Sequence, residues 1–257
     1  MAANRFDLTG RIALVTGASS GLGVRFAHVL AEAGARVVLA ARRVALLEQV
    51  QADIIAKGGQ AISVAMDSSD EASTMAAYDA AEKAFGTVDT IVANAGINTE
   101  GLALDVSVEE FDRVFAVNVR GAFLTAREGA RRMIKADMRA SERGRIVLIS
   151  SVTANTVDSG IAPYAASKAA VQHLSKYLAR EWMRKGINVN CICPGYINTD
   201  MNGDWFETEG GQKQIASWPR RRLMQPEDLD GALLYLSSDA ARAVTGISIT
   251  VDDGQRI

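Results

Sequence analysis

Short runs of β-branched and aliphatic residues alternate along this chain with longer stretches in which apolar positions recur every three or four residues. The short runs, bounded by Gly, Asn, Asp or Ser, have the length and composition of strands, and the longer recurrence marks helices with one buried face. The pattern predicts strands over 11–16, 36–41, 61–66, 90–94, 144–150, 188–193 and 248–251, and helices near 22–33, 45–57, 71–85, 107–135, 162–185 and 227–237. Such alternation builds βα units, whose crossovers leave the strands parallel, so the expected class is α/β with a seven-stranded parallel sheet flanked by helices. No linker, repeat or low-complexity tract interrupts the series, and one domain over 1–257 is expected. Pro194 and Pro226 punctuate the pattern as a strand end and a helix start. The stretch at about 200–225 has the weakest pattern and is expected to be a mobile cover over the substrate.

Composition narrows the possible functions. The 257 residues suffice for a sizeable core, and the net charge of −2 arises from acidic and basic residues mixed along the chain. There is no basic stripe for nucleic acid and no acidic tail for a basic partner, so a small molecule is the expected partner. The first nine residues include Arg5 and Asp7 and lack the apolar core of a leader, and no apolar run is long enough for a bilayer. A cytoplasmic protein without membrane association is expected. Cys191 and Cys193 alternate with apolar residues in a strand-like run and read as buried thiols on opposite faces, with no metal site implied.

Candidate chemistry begins with Tyr164 and Lys168, four residues apart in a predicted helix, so that both side chains leave one face. A phenol that sheds its proton near neutrality needs its pKa lowered by roughly 3 units, about 4 kcal/mol. An ammonium about 5 Å away supplies roughly 3 kcal/mol at an effective dielectric near 20. Lys168 is therefore expected to cover most of the lowering, and a cationic cofactor the rest. By itself the pair is a common helix spacing. A second constellation, Thr16-Gly-Ala-Ser-Ser-Gly-Leu-Gly23, falls between the first strand and first helix. Glycines there let the backbone turn tightly and approach a pyrophosphate held at the positive end of the helix. The alternative is a plain βα loop.

With these two stand Asn94-Ala-Gly96 after the fourth strand, Asn118 in Val117-Asn-Val-Arg-Gly121, Ser151 after the fifth strand, and Pro194-Gly195 followed by Thr199. In this order, and with Ser151 thirteen residues ahead of Tyr164, the chain resembles the short-chain dehydrogenase/reductases in their compact single-domain branch, from Gly10 to Gly254. The resemblance implies a doubly wound Rossmann sheet of order 3-2-1-4-5-6-7 with a nicotinamide cofactor across its carboxyl edge. It also implies hydride transfer to or from a carbon bearing oxygen.

The resemblance assigns catalysis to Ser151, Tyr164, Lys168 and Asn118. Ser151 donates a hydrogen bond to the substrate oxygen, Tyr164 moves the proton, Lys168 tunes the phenol and binds the nicotinamide ribose, and Asn118 fixes a water beside Lys168. Read without the resemblance, Asn118 is equally a helix amide bonded to local backbone, and Ser150 can do the work of Ser151. Cofactor contacts implied are Gly17, Ser19, Ser20, Gly21, Leu22 and Gly23 at the pyrophosphate, Asp67 and Ser68 at the adenine, and Asn94, Ala95 and Gly96 at its ribose. Pro194, Gly195, Ile197 and Thr199 are implied at the nicotinamide, together with Tyr164 and Lys168.

Cofactor choice is read at the end of the second strand, where Ala41 occupies the place of a ribose-binding carboxylate and Arg42 follows. A guanidinium there favours a 2′-phosphate, so NADP(H) is expected over NAD(H), with Arg43 a solvated charge. Trp205, Phe206 and Trp218 suit an apolar substrate cover or ordinary packing equally. Thr153, Asn155 and Tyr196 flank catalytic positions as pocket wall, and Arg220, Arg221 and Arg222 are expected to form a solvated rim. Two departures stand out from the family's pattern. Ala93 replaces an asparagine, and Asp252-Asp253-Gly254 replaces a glycine pair near a C-terminal strand that often builds subunit interfaces. A homotetramer is expected, with a dimer as the fallback. The expected activity is an NADP(H)-dependent reductase or dehydrogenase of a modest apolar ketone, keto ester, 3-oxoacyl group or secondary alcohol. The alternatives are an NAD(H)-preferring alcohol dehydrogenase and a cofactor-sensing protein without turnover.

Overall fold

The computed structural model describes residues 5–199 and 204–257. The strands β1 (Ile12–Thr16), β2 (Arg36–Ala41), β3 (Gln60–Ala65), β4 (Thr90–Ala93), β5 (Gly144–Ile149), β6 (Ile187–Pro194) and β7 (Ser248–Val251) form one parallel sheet of order β3-β2-β1-β4-β5-β6-β7. Residues of β1, β4 and β5 are buried throughout, as parallel strands covered on both faces must be. One apolar layer joins Phe26 and Leu30 of α1 (Gly21–Glu32) to Leu47 of α2 (Val44–Ala56) and Leu233 of α8 (Asp230–Ser237). The other joins Tyr78 of α3 (Glu71–Phe85) to Ala126 and Met133 of α5 (Gly121–Lys135) and Val171 of α6 (Ala162–Trp182). Strand order reverses beside β1, which pairs with both β2 and β4, and the loops leaving β1 and β4 diverge there to open a crevice.

The helix expected over 107–135 is continuous from Val108 to Lys135 but carries a π-helical turn in its interior. Ser107 caps α4 (Val108–Phe115) through a reciprocal box with Glu110, and a π-helical turn, Ala116–Arg120, precedes α5. The 162–185 helix ends in a 3₁₀ turn, Met183–Lys185, closed by Gly186 at φ +75°. The start of the 227–237 helix is likewise a 3₁₀ turn, Pro226–Leu229. Within 200–225, residues 200–203 lie outside the described residues, and the remainder holds a 3₁₀ turn, Trp205–Glu207, and α7 (Glu209–Ser217). Gly211 is the buried residue of α7, so no apolar stripe announced this helix.

Cys191 and Cys193 do not point to opposite faces. Residues two apart in a strand share a face, and these two buried thiols hydrogen-bond one another. At the amino edge of the sheet, buried Arg11 and Arg145 both reach Asp239, tying β1 and β5 to the turn after α8.

Candidate active site

A cavity of about 1210 Å³ lies along the carboxyl edge of the sheet, from the loops after β1 and β2 to the ends of β5 and β6. Its phosphate-sized end is built by the glycine loop. A Cβ on Gly23 would stand 2.1 Å from the Gly17 carbonyl oxygen, so Gly23 allows the turn to close and does not itself line the cavity. Gly17, at φ +69°, and Gly21, at φ +52°, both need a left-handed backbone, and Gly21 also has an open face, where an added Cβ would find Thr199 Cβ nearest, at 3.9 Å. Gly17, Ser19, Ser20 and Leu22 also face the cavity. Ser20 begins α1 without a side-chain cap, and the first turn carries no acidic residue, so the helix presents unpaired N–H groups and a positive end to an anion. This cradle fits a dinucleotide's pyrophosphate.

Thr16 fastens this loop to its neighbour. Its hydroxyl oxygen accepts from the backbone N–H groups of Asn94 and Ala95, both at 3.0 Å, and Asn94 Nδ2 donates to its carbonyl at 3.0 Å. The sequence singled out Asn94 and Ala95 but gave Thr16 no role, although a hydroxyl at a strand end ahead of a glycine loop was the available signal. Beyond β2, Arg42 and Arg43 both line the cavity. Arg43 is exposed, as a solvated charge would be, and also donates to Ser20 Oγ at 2.7 Å and to Ser19 Oγ at 3.1 Å. Asp67 Oδ1 accepts from the backbone N–H and hydroxyl of Ser69 at 2.9 and 2.7 Å, which holds its carboxyl below the usual range. Ser68 is buried, and a Cβ on Gly121 would stand 3.2 Å from its Oγ.

The candidate catalytic groups converge at the other end. Ser151 follows β5, and Tyr164 and Lys168 come from the first turns of α6, which has Pro163 near its start. The Ser151 hydroxyl hydrogen-bonds the Tyr164 phenol. Lys168 Nζ stands 5.5 Å from the centre of the Tyr164 ring and donates to the Ile149 carbonyl at 3.0 Å. Ser150, the rival of Ser151, donates to the backbone carbonyl of Lys168 at 2.7 Å, so its hydroxyl is committed to fixing α6. Asn118 sits in the π turn behind the cavity wall. Its Oδ1 accepts from Ile97 N at 2.8 Å, and its Nδ2 donates to Ile97 O at 3.0 Å and Ser167 Oγ at 2.9 Å. The amide thus bonds not the backbone of its own helix but the distant Ile97, and it joins that loop to α6 through Ser167. A Cβ on Gly96 would lie 3.2 Å from Lys168 Nζ and 3.4 Å from Asn118 Oδ1.

The electrostatics depart from the sequence expectation. Burial raises the Tyr164 phenol above its usual value, and the Ser151 hydrogen bond offsets this in part. Burial lowers Lys168 to about 8. The Lys168 ammonium donates to the Ile149 carbonyl, and burial makes its charge costly to keep there.

The substrate end has an aromatic wall. Tyr196 stacks on Trp218 at 5.3 Å and meets Phe206 edge-on at 5.7 Å, while its hydroxyl donates to Asp158 at 2.9 Å. Trp218 is buried and packs behind the wall, Phe206 is buried but lines the cavity, and Trp205 is half exposed at the mouth with its Nε1 donating to Gln214. Thr153 lines this end and Asn155 does not. The C-terminal turn grips the wall from behind. Gln255 Oε1 accepts from Tyr196 N at 2.6 Å and its Nε2 donates to Tyr196 O at 3.1 Å. A Cβ on Gly195 would lie 2.4 Å from Gln255 Oε1, so this glycine makes room for the turn. Arg220 and Arg222 are exposed, as a solvated rim would be, and both also bind Asp253, at 3.2 and 2.7 Å. Pro194, Ile197 and Thr199 line the cavity between wall and cradle.

Among the described residues there is no cluster of three or more His, Cys, Asp or Glu side chains suited to a metal, and no helix long and apolar enough to cross a membrane. The sequence profile of the family described as short chain dehydrogenase matches residues 11–210. The chain is 36% identical to gluconate 5-dehydrogenase of Gluconobacter oxydans, over 97% of this chain and 96% of that one. It is 38% identical to a versicolorin reductase of Emericella nidulans, over 98% and 97%. Among solved structures, a gluconate 5-dehydrogenase from Burkholderia cenocepacia in complex with NADP and tartrate superposes with a TM-score of 0.93 at 34% identity, covering 99% of this chain and 98% of that one.

Proposed function

This chain belongs to the short-chain dehydrogenase/reductase family, and from that premise we propose that it is an NADP(H)-preferring enzyme interconverting a small carbonyl compound and its secondary alcohol. That it is an NAD(P)-dependent oxidoreductase of alcohols or carbonyls follows from the family and from full-length relatives. The observation that carries the finer reading is the shared cavity. One wall has Ser151, Tyr164 and Lys168, and the far end has an uncapped helix start with two arginines.

When bound, the nicotinamide supplies or accepts the hydride and, oxidised, brings the positive charge that the raised phenol lacks. The glycine loop and the start of α1 hold the pyrophosphate. Asn94, Ala95 and Gly96 lie against the adenosine ribose, Asp67 and Ser68 beside the adenine, and Pro194, Gly195, Ile197 and Thr199 against the carboxamide side. Lys168 holds the nicotinamide ribose. Ser151 donates to the substrate oxygen, and Tyr164, whose proton burial helps to retain at neutral pH, gives it to that oxygen in reduction and receives it in oxidation. Asn118 positions Lys168 through the π turn. Tyr196, Thr153 and Trp205 are substrate wall.

NADP(H) preference is supported by Ala41 in place of a carboxylate and by Arg42 and Arg43 on the cavity. A charge-assisted bond to a 2′-phosphate contributes about 1.5–3 kcal/mol, roughly ten- to a hundredfold in preference. The relatives in complex with NADP point the same way. The test follows cofactor absorbance with NADPH and NADH against ketones, keto esters, hydroxy ketones and acyl thioesters, for wild type, Tyr164→Phe and Arg42→Ala. NADPH oxidation that Tyr164→Phe reduces by about 10³-fold or more supports the reading. In Arg42→Ala the preference over NADH should shrink at least about tenfold. An active Tyr164→Phe sinks the catalytic assignment. Tight NADPH binding with no turnover points to a cofactor sensor, and equal use of NADH removes the NADP(H) preference.

A further inference from the structure

Two polar atoms on the substrate wall have no partner. Thr153 is 5% exposed, and its Oγ1 makes no hydrogen bond among the described residues. Asn98 Oδ1 is also buried and unpaired. Both residues line the cavity that holds Ser151 and Tyr164, on loops leaving β5 and β4, adjacent strands of the sheet. A buried polar atom without a partner is costly, and such atoms in a ligand cavity mark where a ligand's own polar groups belong.

Thr153 is placed rigidly with respect to the chemistry. It lies in the 3₁₀ turn Val152–Ala154, and its backbone N–H donates to Ser151 Oγ at 3.2 Å. Its hydroxyl is therefore held one turn from the group that orients the reacting oxygen. The opposite loop is equally fixed, because Asn118 bonds both the N–H and the carbonyl of Ile97, next to Asn98. A hydroxyl can donate to an amide oxygen and accept from a threonine hydroxyl at once, whereas a methyl or methylene satisfies neither.

We propose that Thr153 and Asn98 form a hydroxyl subsite, and that the substrate is a secondary alcohol bearing a second hydroxyl on the carbon next to the reacting one, a vicinal diol, together with the 2-hydroxy ketone it interconverts with. This deepens the reading of the same site as an alcohol–ketone oxidoreductase and rests on it. It replaces the plain apolar ketone expected from sequence. A site built to bond a substrate hydroxyl discriminates strongly against the analogue lacking it, because desolvated groups are left unpaired. The aromatic side chains of Tyr196 and Trp205 then serve as the opposing apolar wall.

The experiment compares matched pairs, a vicinal diol and the mono-alcohol of the same skeleton, and a 2-hydroxy ketone and its plain ketone, in cyclic and open-chain forms. Wild type should favour the hydroxylated member by at least about tenfold in kcat/KM. Thr153→Val, which keeps the shape and the backbone bond to Ser151, should collapse that ratio, and Thr153→Ser should restore it. A parallel titration of the enzyme–NADP(H) complex by tryptophan fluorescence reads binding of the same pairs without turnover. Discrimination in binding with no turnover of any compound would sink the oxidoreductase reading and leave the subsite standing. Equal binding and use of both members, binding of neither, or a Thr153→Val that keeps the wild-type ratio overturns the proposal.

Discussion

Lys168 is 4% exposed and carries an ammonium at neutral pH, and its hydrogen-bond acceptor among the described residues is the Ile149 carbonyl. Its pKa is lowered from 10.5 to about 8. A lowering of this size disfavours the charged form in the fold by about 3 kcal/mol, net of its hydrogen bond. Lys168→Met should be inactive yet more stable than wild type at pH 7 in urea unfolding. The sign with pH follows from the lowered value. Below about 8 both states are protonated and the penalty is fully present. Between there and the unfolded value near 10.5 the native state has lost its proton first, so wild-type stability rises with pH relative to the variant and the gap closes. A gap that stays constant from pH 7 to 10 would show that Lys168 is not the group responsible. The same ionisation bears on rate. If charged Lys168 is the working form, kcat/KM for reduction is level below about pH 8 and falls above it, which a pH profile with a saturating cofactor reads directly.

Three elements meet at the substrate wall: the loop after β6, the segment around α7, and the C-terminal turn. Asp253, at φ +50°, occupies a place where the family's pattern has glycine, and its carboxylate ties down Arg220 and Arg222 while Gln255 brackets Tyr196. Asp253→Gly relieves a left-handed backbone and removes both ion pairs, so any loss it produces comes from the pairs and not from strain. It should raise substrate KM about two- to fivefold at low salt, leave NADPH affinity in place, and abolish the rise of wild-type KM with added NaCl, because the pairs are exposed and screened. Amide hydrogen exchange over 204–224 should quicken in the variant. Unchanged exchange there would dismiss the turn as a positioning element. Legibility also divides at this scale. The βα alternation revealed every strand, and glycine spacing revealed the cradle, because those signals are local, whereas the order of strands in the sheet came only from the family resemblance. The π turn around Asn118 was invisible because 107–135 has continuous helical periodicity, and the bonds of the exposed Arg43 were not legible because its partners, Ser19 and Ser20, sit across the βα unit. Asp253 and Arg222 are 31 residues apart, and nothing in either segment points to the other. The unpaired state of Thr153 is likewise a property of its surroundings and not of its neighbours in sequence.

At the scale of the molecule, one cavity runs along the carboxyl edge of the sheet, with the glycine loop on one side of the β1–β4 reversal and Ser151, Tyr164 and Lys168 on the other. The outer face of α4 and the π turn is less finished. Val108 is 71% and Phe111 42% exposed, Phe111 stacks on Phe115 at 4.5 Å, and a shallow groove runs from Phe115 past Val119 and Phe123 to Leu174. Apolar side chains so grouped on helices that also carry Asn118 and adjoin α6 suit a self-complementary contact between two copies. Such a contact would brace the π turn and α6 and hence the catalytic geometry. β7, at the open edge of the sheet and half-buried along its length, suits a second contact, which makes a homotetramer the expected assembly. Light scattering after size exclusion should give about four times the 27.4 kDa chain mass. Phe111→Arg should reduce that to two, with turnover falling alongside because α4 and the π turn lose their brace. A dimer in the wild type that Ile247→Arg leaves intact and Phe111→Arg splits would assign the contact to the helical face alone. A wild-type monomer with full turnover would show that Asn118, Tyr164 and Lys168 hold their places without any neighbour.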